Sequence, residues 1–187
     1  MATVAPAHVH VSIPNGRWGL WLFIVSESFL FAAFLAARYY MLSFFRPAEL
    51  NQLLGLAITT VLLLSSLTAY RAEMSIAYGD RPRFLRNTLA TILLAGLFLV
   101  GVTVEWREAF HFFPPHSRFG TIFFSLTGLH ALHVLSGAVL LAFVYFHGRA
   151  GRYGPGDYWP VEGAVKYWHF VDVAWVFIYP TLYLVGP

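Results

Sequence analysis

Cysteine is absent from the 187 residues. That excludes disulfides, thiolate zinc sites, iron–sulfur clusters, C-x-x-C-H haem attachment and a cysteine-ligated copper centre within this chain. Charge is also scarce: 12 basic and nine acidic residues make up 11% of the chain, and the formal net charge is +3. A soluble domain carries about 25% charged residues, because its surface must be hydrated. No block of Lys and Arg offers a nucleic-acid surface, so no nucleic-acid partner is expected. What fills the chain instead is apolar: 58% hydrophobic and 18% aromatic residues, with a mean hydropathy of +0.64. Such a composition excludes a disordered chain and points to an integral membrane protein.

Five apolar stretches approach the roughly 20 residues that a helix needs to cross a bilayer core. They run from about Trp18 to Leu42, Gln52 to Ala72, Asn87 to Trp106, Phe119 to Phe146 and Val161 to Val185. They are too long and continuous for barrel strands, and backbone in lipid must bond within itself. The expected fold is therefore an all-α membrane protein, a bundle of five transmembrane helices. Turn chemistry separates the spans: Arg46-Pro47, Gly79-Asp80-Arg81-Pro82, Pro114-Pro115, and a loop with Gly148, Gly151, Gly154, Pro155 and Gly156. Residues 1–16 carry no basic residue before the first apolar run and do not resemble a signal peptide. They read as an N-terminal tail, with 17–187 forming the membrane domain.

The basic residues give an orientation. On the N-terminal side of the spans lie Arg17, Arg71, Arg81, Arg83, Arg86, Arg149, Arg152 and Lys166; on the other lie Arg38, Arg46, Arg107 and Arg118. Positive residues favour the cytoplasm. The N-terminus is therefore expected in the cytoplasm and the C-terminus, through Pro187, in the periplasm.

Ionisable groups within spans are expensive and are functional candidates by default. Glu27 lies in the first span, between Ser26 and Ser28; Glu105 and Glu108 close the third; His130 and His133 sit midway along the fourth; His169 and Asp172 lie in the fifth. The last three pairs are spaced i, i+3, so each shares a helix face. Glu105, His130, His133 and His169 allow two readings. One is a metal or haem site, although none of these histidines completes the Glu-x-x-His pattern of di-iron bundles. The other is a hydrogen-bonded polar network joining helices, with Asp172 as a further member. Glu27 allows three: an ion-pathway carboxyl, a strut between helices, or a group facing a subunit or headgroup. An unpaired carboxylate there is costly, so Glu27 is either protonated or has a partner; no basic residue lies near it in sequence, so any counter-charge must come from another helix or subunit.

Most Trp and Tyr residues stand near span ends, as an aromatic belt would, whereas Trp168 and Trp175, spaced i, i+7, suit a packed stripe. Small residues, among them Gly96, Gly101, Gly128, Ser136 and Gly137, suit close helix contacts.

Several of these segments resemble one family. Trp168-His169-Phe170-Val171-Asp172-Val173-Ala174-Trp175, with Glu162 upstream, is similar to the last-helix signature of subunit III of haem–copper oxidases. Thr127-Gly128-Leu129-His130-Ala131-Leu132-His133-Val134 resembles the penultimate-helix motif. Ser26-Glu27 before a Phe-rich run resembles the segment holding the family's buried glutamate. Leu62 to Thr68 and Val104 to Glu108 fit the helices between, with Trp106 where Tyr is commoner.

The resemblance implies a short, five-helix bacterial form of that subunit, without the first two helices of the seven-helix form, in the bacterial inner membrane. It implies an accessory, non-catalytic chain without metal or redox cofactor, bound directly to subunit I, which carries haem and copper. Subunit II and a small subunit IV complete the expected complex, and phospholipid is expected between the helices. The complex would reduce oxygen to water and pump protons, with Glu27 supporting proton uptake. Glu105, His130, His133, His169 and Asp172 would form an intramembrane polar network. Two alternatives stand beside it: an accessory subunit of a nitric oxide reductase system, and a free-standing transporter coupled through Glu27. The latter lacks the expected inverted repeat and broken helices.

Overall fold

The computed structural model describes residues 13–186. It contains five helices: α1 (Ile13–Leu42), α2 (Gln52–Ala77), α3 (Arg81–Phe112), α4 (Arg118–Arg149) and α5 (Trp159–Tyr179), the last continuing into a π-helical turn, Pro180–Leu184. Strand pairing among the described residues is limited to one isolated bridge, Gly154 to Asp157, in the α4–α5 loop. Most of the stretch read as a tail, and Pro187 itself, lie outside the described residues; α1 already begins at Ile13.

The helices outrun the apolar stretches because caps, not hydropathy, set their ends. The Asn51 side chain accepts from the Leu54 amide at 3.0 Å and starts α2. Asp80 does the same for Arg83 at 3.0 Å, with Pro82 in the first turn of α3. Ser117 accepts from the Gly120 amide at 3.0 Å and starts α4. Each cap satisfies an amide that the helix end would otherwise leave unbonded. At the other end of the chain, Pro180 lacks the N–H that would continue α5. The backbone widens there, and the Val185 amide donates to the Pro180 carbonyl at 3.0 Å.

Four helices, α1 from Gly16 and all of α2, α3 and α4, are long and apolar enough to cross a membrane. The chain is thus an all-helical, multi-pass membrane protein. The fifth helix differs in kind. It carries Glu162, Lys166, His169 and Asp172, and buries ten of its 21 residues, the largest share of any helix. Of its polar groups Asp172 is buried, whereas Glu162, Lys166 and His169 are half-buried.

Helices α2, α3, α4 and α5 form a ring in which each packs on the next and α5 returns to α2; α1 lies outside, against α4 and α5. Leu62, Phe98, Leu126, Val134, Trp168, Trp175 and Ile178 fill the ring without measurable exposure. The two tryptophans form the expected stripe, and each indole N–H is bonded: Trp168 to Ser65 Oγ at 3.0 Å and Trp175 to Thr59 Oγ1 at 2.9 Å. Three of the expected glycine contacts are real, the loosest being Gly128, where a Cβ would stand 3.3 Å from the Trp106 ring. A Cβ on Gly137 would stand 2.8 Å from the Trp168 ring, and one on Gly101 2.3 Å from Ile58, whereas Gly96 faces open space. The aromatic-belt reading suits Trp18 and Tyr40, which are exposed. It does not suit Tyr183, which is buried because its hydroxyl has a partner inside the ring, described next.

Candidate functional site

The ionisable residues of the spans separate into four places. Between α1 and α4, Glu27 Oε2 lies 3.2 Å from His133 Nε2. His133 Nδ1 is 2.8 Å from the Leu129 carbonyl, which can only accept, so Nδ1 carries a proton. The Glu27–His133 contact then holds one proton, on the carboxyl or on Nε2. The partner of Glu27 does come from another helix, in keeping with its isolation in sequence. Close by, Ser136 Oγ donates to the His133 carbonyl at 2.9 Å and stands 2.7 Å from the Tyr167 hydroxyl on α5.

A second place joins α3 to the chain's C-terminal turn. The buried Tyr183 hydroxyl donates to the Glu105 carboxyl, with both oxygens at 2.7 Å. The Tyr183 carbonyl in turn accepts from Arg46 Nη1 at 3.1 Å and Gln52 Nε2 at 3.3 Å. In the third place, His169 Nδ1 meets Ser66 Oγ at 2.7 Å, joining α5 to α2. The fourth is the core of the ring. There His130 is fully buried, its imidazole 4.7 Å from the Trp175 ring and 5.7 Å, edge-on, from Phe98. Neither its nitrogens nor the oxygens of buried Asp172 form a hydrogen bond among the described residues; Ser66 is the polar neighbour Asp172 meets.

Glu105, His130, His133, His169 and Asp172 are therefore not hydrogen-bonded to one another. Each of Glu105, His133 and His169 instead bonds a residue of a different helix or of the C-terminal turn. Among the described residues no three His, Asp or Glu side chains gather as metal ligands. One Glu-x-x-His pattern does occur, from Glu108 to His111. It stands at the outer end of α3, where Glu108 accepts from Asn51 Nδ2 at 3.3 Å and His111 is exposed.

Two polar clusters escaped the sequence reading. Arg38, near the end of α1, has no exposed surface. Its guanidinium donates to the carbonyls of Thr181 at 3.1 Å, Phe45 at 2.9 Å, Val185 at 3.5 Å and also Ser43. The available signal was a lone arginine following Ala-rich apolar helix where lipid-facing charge is not tolerated. At the opposite end, Arg17 of α1 meets Glu162 of α5 at 3.3 Å, and Lys166 bonds the same carboxylate. Both cations lie over the Trp159 ring, at 5.1 and 5.6 Å.

Between the Arg17–Glu162 clasp and the Glu27–His133 contact, α1 stands away from α4, leaving a cleft of about 1140 Å³. Leu20, Phe23, Leu135, Val139 and Phe143 form its apolar walls, Ser136 and Tyr167 its inner polar spot, and Tyr153 and Trp159 its mouth. Burial pushes the Tyr153 phenol above its ordinary range, against a smaller opposing effect of Arg152.

A ring of helices joined through Glu105, His133 and His169 is the framework of a multi-pass membrane protein. Residues 2–187 match the family model described as cytochrome c oxidase subunit III. Cytochrome c oxidase subunit 3 of Papio hamadryas is 34% identical over 182 residues, covering 91% of this chain and 69% of that protein. The subunit 3 of Loxodonta africana is 33% identical over 191 residues, covering 96% and 73%, and that of Gallus gallus is 34% identical over 189 residues, covering 91% and 69%. The chain belongs to the cytochrome c oxidase subunit III family, and is a subunit of a haem–copper oxidase, an oxidoreductase complex.

Proposed function

We propose that this chain is the accessory subunit of a proton-pumping terminal oxidase, that it packs directly against the haem–copper subunit I, and that it sustains proton uptake there without a redox centre of its own. Subunit II and a small subunit IV belong to the same complex. The five helices all cross the bilayer, with the N-terminus cytoplasmic and the C-terminus periplasmic, in a bacterial inner membrane. The excess of arginine on the N-terminal side supports this orientation, and the apolar cleft between α1 and α4 suits phospholipid acyl chains. The other interhelical contacts, at Glu105 and His169, hold the ring together.

The observation that carries the proton-uptake reading is the Glu27–His133 contact. It joins two titratable groups within the spans, and both side chains keep some exposure, 19% and 12%. A shared proton at the wall of an uptake surface can move between two partners without leaving a bare charge in lipid. A strut alone would need no second titratable group.

Glu27→Gln keeps shape and hydrogen-bonding capacity and removes the proton. In the purified complex, this variant should assemble normally but lose activity faster during sustained turnover, with an altered pH profile of oxygen consumption. Identical profiles and identical endurance would leave Glu27 a strut.

A further inference from the structure

Helix α5 packs against α1, α2 and α4, while α1 and α2 hardly touch each other. Between those two helices a stripe of α5 stays uncovered: Lys166, His169, Val173 and Val176. Steps of three and four residues are the spacing of a seam on which another helix packs. Val173 is 54% and Val176 48% exposed, and Lys166 and His169 are half-buried. Beside the seam, α2 runs antiparallel to α5 in a fixed register. Thr59 meets Trp175 at 2.9 Å, Ser65 meets Trp168 at 3.0 Å and Ser66 meets His169 at 2.7 Å.

Two polar groups on this face lack partners. The first is on His169. Ser66 Oγ has one proton to give, and Asp172 is the other acceptor beside it; the Asp172 oxygens, however, form no hydrogen bond among the described residues. The Ser66 proton therefore goes to His169 Nδ1, and the ring's own proton stays on Nε2. That Nε2–H, midway along α5, meets no acceptor among the described residues and is not shielded by protein. The second is Glu73, half-buried on α2, seven positions from Ser66 toward the arginine-rich end. Glu162 and Lys166 act on its charge, but those two bond each other, and Arg17 bonds Glu162. Glu73 itself forms no ion pair among the described residues.

We propose that this seam docks one transmembrane helix of a neighbouring subunit, which sets an acceptor side chain against His169 Nε2–H and a donor side chain against Glu73. The two side chains stand about seven residues apart on that helix, two turns or about 10.5 Å, so they share a face. Helix backbone in lipid is bonded within itself, so both groups have to be side chains. An acyl chain offers neither, and leaving an N–H and a carboxyl against hydrocarbon is costly. A second copy of this chain, docked by the same seam in the same orientation, sets donor against donor and carboxyl against carboxyl. The proposal rests on the reading that α5 crosses the bilayer and is independent of Glu27.

The test uses the whole complex, taken from its membrane in mild detergent through a tag on this chain. The photoreactive amino acid p-benzoylphenylalanine is placed at Val173, at Val176 or, as a control, at Leu93 on the outer face of α3, which is 65% exposed. Irradiation should join the first two positions, and not Leu93, to one apolar helix of another subunit, and mass spectrometry should find the acceptor and donor side chains in its sequence. Crosslinks to lipid alone, or to a second copy of this chain, would overturn the proposal. Val173→Trp adds bulk in the seam and should lower the yield of that subunit, relative to this chain, about tenfold; Leu93→Trp should leave it unchanged. Equal yields in the two variants would overturn the site, and an unchanged yield with Glu73→Leu would overturn the chemistry assigned to the partner. An error in the topology shows separately: in opened membranes, a water-soluble thiol reagent would modify a cysteine at Val173, which a bilayer-spanning α5 keeps from it.

Discussion

The guanidinium of Arg38 faces four backbone carbonyls, at the ends of α1 and of the C-terminal turn, and no carboxylate among the described residues. Its charge is balanced by the negative ends of two helices. Arg38→Met keeps the stem and removes every donor, leaving those carbonyls unbonded. It should cost on the order of 3 kcal/mol, seen as a lower melting temperature of the purified protein in detergent. Arg38→Lys should fall between, since an ammonium has fewer donors; equal melting temperatures for all three proteins would refute the role. The sequence singled out Glu27, Glu105, His133 and His169 as polar groups within the spans but not their partners, and it passed over Arg38. Glu27 and His133 are 106 positions apart, Glu105 and Tyr183 are 78, and Arg38 and Thr181 are 143. No spacing rule relates residues on different helices, so the polar set read as one network resolves into separate contacts only in three dimensions. Tyr183 could not be singled out for the same reason: at a span end, belt tyrosine and core tyrosine look alike.

At the scale of the element, all five helices were legible from their long apolar runs, and four of them are long and apolar enough to cross a membrane. Their ends were less legible. The charged first turns of α3, at Arg81 to Arg86, lower the local hydropathy while Asp80 and Pro82 favour helix. The π-helical turn follows from Pro180 falling inside a helix that packing continues to hold. Contacts between elements depend on which small residue meets which large one. Gly137 lies under the Trp168 ring where α4 crosses α5, and Gly96 on α3 touches nothing within 4 Å. Gly137→Ala should therefore force the helices apart and cost about 1–3 kcal/mol. Gly96→Ala should cost nothing and, through helix propensity, stabilise by up to about 1 kcal/mol. Thermal unfolding of the two variants side by side decides this; equal effects would show that the α4–α5 contact tolerates a methyl group.

For the whole molecule, the two connections at the arginine-rich end are tied together. Arg81 Nε donates to the Gly148 carbonyl at 3.0 Å, and its Nη2 bonds the Arg149 carbonyl, so the α2–α3 turn and the end of α4 share one side. With no native cysteine to interfere, single cysteines at Arg83 and His116 test the orientation. A membrane-impermeant thiol reagent applied to intact cells should modify the cysteine at His116 and spare the one at Arg83. The reverse pattern would invert the topology.

The position of α1 outside the ring has a further meaning for synthesis. The helices that α1 packs against, α4 and α5, are made only after α2 and α3 have followed it. At about 5–20 residues per second, the ribosome needs roughly 5–20 s to travel from Glu27 to His133, 106 positions later. Throughout that interval the carboxyl sits in α1 with only Ser26 and Ser28 for polar company, held among the surrounding Phe, Leu and Ile. Membrane entry and docking are thus separate events for this helix, and the second waits for the C-terminal half of the chain.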